Sequence, residues 1–179
     1  RTLTYTGVIA GSGTITKSGA GILVLSGTNT HTGSNILAAG TLSINKDRAL
    51  GTAPTSHDYD NIEFKASGTG TLKTTASFTL NTKRHIELNS NAIIDINNST
   101  VLTWGGNVYG KGTFSGGYYK FTKNGAGNLR LSGNINSFGG MFINSGSLIL
   151  DGNGVLHNKA GVTLANTSGA ILNLNDYND

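Results

Sequence analysis

The sequence contains no cysteine, a single proline and few charged residues, and these absences exclude several classes of protein. Without cysteine there is neither a disulfide framework nor a thiolate metal site. No stretch approaches the roughly 20 consecutive apolar residues that a membrane-spanning helix needs. Charged residues make up 12% of the 179 residues and aromatic residues 7%. Hydrophobic residues still account for 36% and are spread evenly, which argues against intrinsic disorder.

The net charge of +4 does not indicate nucleic-acid binding. It arises from 13 basic and 9 acidic residues, and the basic residues are scattered, with Lys83 and Arg84 as the only adjacent pair. A nucleic-acid surface would need basic residues clustered on one face with stacking aromatic rings between them. We therefore expect no nucleic-acid partner.

The residues that are abundant favour an all-β fold. The 27 glycines, together with many Asn, Ser and Thr residues, disfavour helices. Pairs of apolar residues separated by one position recur along the chain, as in strands that turn alternate side chains inward. Such pairs occur at Leu23/Leu25, Leu42/Ile44, Ile62/Phe64, Phe78/Leu80, Ile86/Leu88, Ile94/Ile96, Leu102/Trp104, Leu129/Leu131, Leu148/Leu150, Val162/Leu164 and Leu172/Leu174.

An internal repeat is the strongest feature of the sequence. Thr16–Ile44 aligns with Thr122–Leu150 without a gap, and 12 of the 29 aligned positions are identical. The preceding segments align at an offset shorter by seven residues, so the second copy carries an insertion around Ser115–Phe121. We predict one continuous domain over residues 1–179, with repeat units of approximately 1–99 and 100–179, the second of them truncated.

The spacing of the apolar pairs predicts a parallel β-solenoid. Leu23 and Leu42 are 19 residues apart, as are Leu129 and Leu148, and a step of about 20 residues suits one turn of such a fold. Hairpin meanders would show more frequent turn signals, and the Asn-Gly dipeptide occurs once. We expect about eight or nine coils. The residues predicted to be buried are Leu23, Leu25, Leu42, Ile44, Leu129, Leu131, Leu148 and Leu150.

The first repeat resembles the autotransporter-associated β-strand repeat. The similarity lies in the segment Thr14–Gly33, which contains Thr28-Asn29-Thr30-His31-Thr32-Gly33, and in the closing segment Ala39–Leu42. The second copy is similar more loosely, because Asn134-Ile135-Asn136-Ser137-Phe138-Gly139 replaces that polar segment. The repeat is found in passenger domains of bacterial proteins exported by type V secretion.

This resemblance implies a right-handed parallel β-helix stalk without catalytic residues or cofactors. It implies export through the periplasm and an extracellular location, on or released from the outer membrane of a Gram-negative cell. The partners it implies are a host or bacterial cell-surface protein or glycan. In the parent protein the chain would continue into further coils and a C-terminal outer-membrane β-barrel. The chain also begins at Arg1 without a leader, so we expect a slice of a longer solenoid.

One acidic segment is a candidate site. His57-Asp58-Tyr59-Asp60 follows the single proline, and Glu63 lies three residues further on. Asp58, Asp60 and Glu63 form a weak candidate calcium site, although the glycine-rich pattern of calcium-binding β-rolls is missing. Paired carboxylates also keep open an alternative function, a carbohydrate-active β-helix of the phage-tail type or a secreted polysaccharide lyase or hydrolase. The bland interpretation is an exposed loop.

A local concentration of aromatic residues is a second candidate. We predict that Trp104, Phe114 and Phe121 fill the solenoid interior, because such rings are usually buried. Tyr118 and Tyr119 lie in the insertion and have no counterpart in the first copy. They are therefore the candidate contact surface for a protein or glycan. The four histidines show no metal-ligand spacing.

Overall fold

The structure is a computed structural model, and it describes residues 1–65, 69–110, 113–114, 117–136, 139–151, 161–166 and 169–175. Short strands occupy most of this part of the chain. In chain order the strands are β1 (Thr2–Tyr5), β2 (Ile15–Lys17), β3 (Ile22–Leu25), β4 (Asn35–Leu37), β5 (Gly40–Ile44), β6 (Asp58–Phe64), β7 (Gly70–Thr74), β8 (Phe78–Leu80), β9 (Arg84–Leu88), β10 (Ala92–Ile96), β11 (Val101–Trp104), β12 (Val108–Gly110), β13 (Thr113–Phe114), β14 (Gly117–Tyr118), β15 (Phe121–Asn124), β16 (Asn128–Leu131), β17 (Ile135–Asn136), β18 (Met141–Ile143), β19 (Gly146–Asp151), β20 (Val162–Leu164) and β21 (Ala170–Asn175). A single turn of 3-10 helix, Asp47–Leu50, follows β5. In the described ranges no helix has the length and apolar character needed to cross a membrane.

The strands form three parallel sheets that wrap around a common core, which confirms the predicted all-β parallel solenoid. The long sheet has the order β1-β3-β5-β7-β10-β15-β18-β20. The six-stranded sheet has the order β2-β4-β6-β9-β12-β17, and the five-stranded sheet β8-β11-β16-β19-β21. From β7 onward the chain visits the long, the five-stranded and the six-stranded sheet in turn. Among the described strands, only β13 and β14 pair antiparallel, in the insertion of the second copy.

The solenoid has about six turns, slightly fewer than the eight or nine predicted. Six strands of the long sheet are followed by a strand of the six-stranded sheet, whereas β18 and β20 are followed only by strands of the five-stranded sheet. The prediction assumed a constant step of about 20 residues. The turn from Leu42 to its stacked partner Leu72 takes 30 residues, and the turn from Ile94 to Lys123 takes 29.

Inward-facing residues stack in columns along the axis, as the apolar pairs predicted. Leu25, Leu42, Ile44, Leu129, Leu131, Leu148 and Leu150 are buried. Leu23 is only half-buried, which corrects its predicted burial, because its neighbour on one side is β1, whose residues are all exposed. Trp104 and Phe121 are fully buried, as predicted. The side chain of Phe114 lies outside the described residues.

The two sequence repeats occupy different faces of the solenoid. In the first repeat the strand ending at Lys17 belongs to the six-stranded sheet, and the next strand, β3, to the long sheet. In the second repeat the equivalent strand, ending at Lys123, belongs to the long sheet, and the next strand, β16, to the five-stranded sheet. The spacing of 106 residues therefore corresponds to four turns plus one further face.

Candidate functional site

The predicted acidic segment lies at the start of β6, where an irregular register places it on the outer face of the six-stranded sheet. Asp58 lies opposite Arg84 and Ile62 opposite Ile86, so four residues of β6 span two residues of β9. Extra residues of this kind bulge a strand outward and redirect its side chains. The bulge carries Tyr59 and Asp60, both exposed.

The buried Arg84 anchors the loop that leads into this bulge. Its guanidinium donates to Asp47 Oδ1 at 2.8 Å and to the carbonyl oxygen of Gly51 at 2.7 Å. It also donates to Asn61 Oδ1 at 2.7 Å, on β6 itself. The planar fork of donors on arginine suits such a set of acceptors. One side chain thus fixes the 3-10 turn, the following loop and the bulged strand relative to each other.

The three predicted calcium ligands are divided between two local clusters. Asp58 accepts a hydrogen bond from Asn61 Nδ2 at 3.0 Å and is itself hydrogen-bonded to Asp60. This bond raises the pKa of Asp60, and burial and the Asp58 charge act in the same direction. Glu63 instead shares Asn89 Nδ2 with Glu87, at 3.0 and 2.6 Å. In the described residues no three His, Asp or Glu side chains are grouped as a metal ion would require.

Next to the acidic residues lies a pair of histidines whose hydrogens are fixed by their partners. His85 Nδ1 accepts the backbone N–H of Asn107 at 2.8 Å, so neutral His85 carries its hydrogen on Nε2. That N–H donates to His57 Nδ1, 2.7 Å away. Because Nε2 of His85 carries a hydrogen, it offers no lone pair to a metal ion. Burial lowers the pKa of His85, and the charge of His57 adds to that effect.

Three rings from successive turns of the six-stranded sheet form an outward-facing group that we call the aromatic patch: Tyr59 on β6, His85 on β9 and Tyr109 on β12. Tyr59 stacks on His85 with ring centroids 5.3 Å apart and planes inclined by 21°. The edge of Tyr109 meets Tyr59 at 5.2 Å, and the Tyr109 hydroxyl accepts a hydrogen bond from Asn107 Nδ2 at 2.7 Å. Tyr59 is 57% exposed, whereas His85 is buried.

The sequence gave no direct signal of this patch, because Tyr59 and Tyr109 are fifty residues apart and become neighbours only through the stacking of turns. The predicted contact residues, Tyr118 and Tyr119, lie elsewhere. Tyr119 is half-buried against the core, and the side chain of Tyr118 lies outside the described residues. Their role as a contact surface stays a prediction.

A cleft adjoins the aromatic patch on the side of the incoming loop. Its volume is about 360 Å³. Hydroxyl groups of Thr32, Thr52, Thr55 and Ser56 occur along its lining, and His57 and Asp58 form the part nearest the patch. Hydroxyls both donate and accept hydrogen bonds, so this lining suits a polar ligand.

The repeats themselves build a second kind of polar structure, a buried lysine at a corner between two sheets. Lys17 Nζ donates to the carbonyl oxygens of Ser18, Gly19 and Ala39 at 2.9, 2.7 and 3.0 Å. Each ammonium hydrogen thus has an acceptor, and one of these acceptors belongs to the next turn. The lysine therefore joins two successive turns at the corner.

The second repeat reproduces this corner on another face of the solenoid. Lys123 Nζ donates to the carbonyl oxygens of Asn124, Gly125 and Ser145 at 2.8, 2.7 and 3.0 Å. Gly125 has a φ of 76°, like Gly19 at 72°, a left-handed conformation that favours glycine. Burial lowers the pKa of Lys123 to about 8, and the Asp95 charge opposes the shift.

The polar segment of the first repeat fills the interior between the corners. Asn29 is buried, accepts the backbone N–H of Ile9 at 2.9 Å and donates to the carbonyl oxygen of Ala49 at 2.7 Å. These two partners lie one turn below and one turn above it. Asn35 Oδ1 lies 3.2 Å from His31 Nε2. The segment is thus a buried polar ladder, which binds three turns together where apolar side chains are absent.

The parallel stack and its lysine corners define a β-solenoid assembled from repeated corner units. Residues 15–44 and 121–150 both match the family described as the passenger-associated-transport repeat. The first match spans β2–β5 and the second begins at β15 and reaches into β19, so each contains one lysine corner. The chain thus carries two such repeats, and its resemblance to autotransporter passengers with β-solenoid repeats is confirmed. No curated protein and no solved structure shows a significant match.

Proposed function

We propose that the chain is a non-catalytic stalk segment of an autotransporter passenger, carried on or released from the bacterial surface, and that it supports adhesion to another cell. The two passenger-associated-transport repeats carry this proposal, and that family implies a secreted or cell-surface location. The construction of the solenoid supports it. Each turn binds only its neighbours, so such a body can be lengthened by adding turns, as a stalk requires.

A display experiment tests this function. The chain is fused between an N-terminal epitope tag and an outer-membrane β-barrel, and expressed in a Gram-negative host. We expect the tag to be accessible to antibody on intact cells and removable by external protease. A matched fusion with Leu129→Asp should be displayed poorly, because a charge would be buried at a fully enclosed core position. Retention of the wild-type fusion in the periplasm would contradict the export part of the proposal.

Adhesion is tested on the same displayed cells. Cells that carry the chain should adhere to a layer of host or sister cells more strongly than cells that display the barrel alone. Equal adhesion of the two strains would leave a spacer role and remove the adhesive one.

The hydrogen-bonded pair Asp58 and Asp60 is the observation that favours the alternative function, a carbohydrate-active β-helix. Carboxyl pairs with separated pKa values can divide the roles of acid and base in glycoside cleavage. Incubation of the chain with a panel of polysaccharides would show new reducing ends or unsaturated products if it were an enzyme. Turnover that is lost in Asp58→Asn would favour the alternative, and no turnover would favour the stalk.

A further inference from the structure

We propose that the aromatic patch, together with the adjoining cleft, binds a neutral glycan on an opposing surface, with Tyr59 as the platform on which a sugar ring stacks. This proposal rests on the adhesive role proposed above and names its ligand class. Four properties support it: the rigid mounting of Tyr59, the hydroxyl-lined cleft, the distribution of charge, and the position on the outer face of a sheet.

Tyr59 offers a free aromatic surface that is already fixed in place. One part of its ring surface is covered by His85 and its edge is met by Tyr109, while 57% of the residue stays exposed. His85 is held in turn by Asn107 and His57. A tyrosine that is locked in this way gives a large amphipathic contact area with little loss of conformational entropy on binding. The apolar C–H face of a pyranose ring fits such a surface.

The cleft supplies polar partners at the distance of a neighbouring sugar unit. Its volume of about 360 Å³ begins at His57 and Asp58, the two residues that precede Tyr59 in the chain. The hydroxyls of Thr52, Thr55 and Ser56 lie along its lining. A sugar ring on Tyr59 could therefore continue into the cleft, where its hydroxyl groups meet groups that donate and accept hydrogen bonds.

The charges around the patch select against acidic sugars. Elsewhere in the described chain Asp47, Asp95 and Asp151 each pair with a basic side chain at 2.7–2.8 Å. Asp58, Asp60 and Glu63 have no ion pair with any residue of the described ranges, so negative charge is left in this region.

One cation lies close to these carboxylates. The ammonium of Lys83 is 3.4 Å from His57 Nε2, so it offsets part of the negative charge. The remaining carboxylates repel sialic acid, uronic acids and sulfated sugars, and they accept hydrogen bonds from the hydroxyls of neutral sugars.

Binding is measured by calorimetry and by saturation-transfer NMR on the complete 179-residue chain. The neutral probes are chitotetraose, maltohexaose and lacto-N-neotetraose, and the acidic probes are sialyllactose and polygalacturonate. We expect binding of at least one neutral probe and none of the acidic probes. Tyr59→Ala should weaken that binding by about tenfold or more, as loss of a central aromatic contact does. Tyr59→Phe, which keeps the ring, should bind within about threefold of wild type.

Tyr5→Ala is the matched control, because Tyr5 is an exposed tyrosine on a different sheet and should not affect binding. Thermal melts of each variant verify that the fold is kept. Absence of binding to all three neutral probes would overturn the proposal, as would unchanged affinity in Tyr59→Ala or a preference for the acidic probes. If the displayed chain promotes adhesion but binds no neutral probe, the adhesive function stands and the glycan ligand is wrong. A protein receptor would then be indicated.

Discussion

Lys123 shows how a charged side chain is accommodated inside this solenoid. Its stem occupies an inward position between Ile94 and Ile143 of the neighbouring turns, where a leucine or isoleucine would be expected. Its ammonium reaches three carbonyl oxygens at the corner. Charged groups are rarely buried unless their hydrogen-bonding capacity is filled, and here all three ammonium hydrogens have acceptors.

Replacement of Lys123 by methionine should destabilise the protein by about 2–4 kcal/mol at pH 7. Methionine fills a similar volume but leaves carbonyl oxygens of the corner without their donor, and buried unsatisfied groups are costly. Lys73→Met is the matched control, because Lys73 forms a half-exposed ion pair with Asp95 and should lose less than about 1 kcal/mol. Urea unfolding of the three proteins measures the difference. Equal effects of the two substitutions would contradict a structural role for the lysine corner.

The same lysine predicts a dependence of stability on alkaline pH. Its pKa is lowered by burial from 10.5 to about 8 in the folded chain, so between these values the unfolded chain binds more protons. The free energy of unfolding should therefore rise as the pH increases from about 8 toward 10.5, by up to about 3 kcal/mol. Lys17 acts in the same direction, because burial lowers its pKa too. Comparison of wild type with Lys123→Met at pH 7.5 and 9.5 isolates the part due to Lys123.

His85 predicts a loss of stability in acid. Burial lowers its pKa below the ordinary value of 6.5, so as the pH falls below 6.5 the unfolded chain takes up its proton first and the free energy of unfolding decreases. His31, whose pKa burial also lowers, contributes in the same sense. In His85→Asn the side-chain oxygen can still accept the backbone N–H of Asn107, but it does not titrate. The melting temperature of this variant should fall less than that of wild type between pH 7.5 and 5.

At the scale of the strands, stability should come from stacking between neighbouring turns. Leu129 is fully buried and lies between Leu102 and Leu148 in the five-stranded sheet. Leu129→Ala should cost roughly 2–5 kcal/mol, the usual range for a buried leucine. Leu174→Ala is the control, because Leu174 is 53% exposed on the outermost strand of the same sheet and should cost much less. A cost below about half a kilocalorie for Leu129→Ala would mean that the stacking does not hold in solution.

The strands and the core could be predicted from the sequence because the alternation of apolar residues directly reflects which side chains face inward. The number of turns could not, because extra residues inserted outside the strands lengthen a turn without disturbing that alternation. The 30-residue turn from Leu42 to Leu72 contains such an insertion, the loop before β6. Counting apolar pairs therefore predicted more turns than the chain makes.

The candidate site was predicted only in part, for a related reason. The acidic segment at Asp58 was visible because its members are adjacent in sequence. Tyr59 and Tyr109 are contacts between turns, so their proximity depends on turn lengths that the sequence does not show. Lys17 and Lys123 were recognised as identical repeat positions, but their burial was not predicted, because lysine is normally exposed and its acceptors include a residue of the next turn.

For the whole molecule, the repeats and the turns of the solenoid have different periods. Equivalent residues of the two repeats would lie directly above each other if a repeat contained a whole number of turns. Instead Val24 lies on the long sheet and its repeat equivalent, Arg130, on the five-stranded sheet. The residue stacked above Val24 is Asn124, four strands further along the long sheet. Features encoded by the repeat therefore wind around the stalk instead of lining one side of it.

Distances between spin labels test this arrangement, and the absence of cysteine from the chain makes selective labelling direct. Four strand spacings of about 4.8 Å predict a backbone separation of roughly 19 Å between positions 24 and 124. We expect the pair Val24→Cys and Asn124→Cys to give the shorter label distance, since both labels leave the same face. The pair Val24→Cys and Arg130→Cys should give a longer one, because position 130 is displaced sideways onto another sheet at a similar height. The reverse order of the two distances would mean that each repeat spans a whole number of turns, and equivalent corners of the stalk would then align on one face.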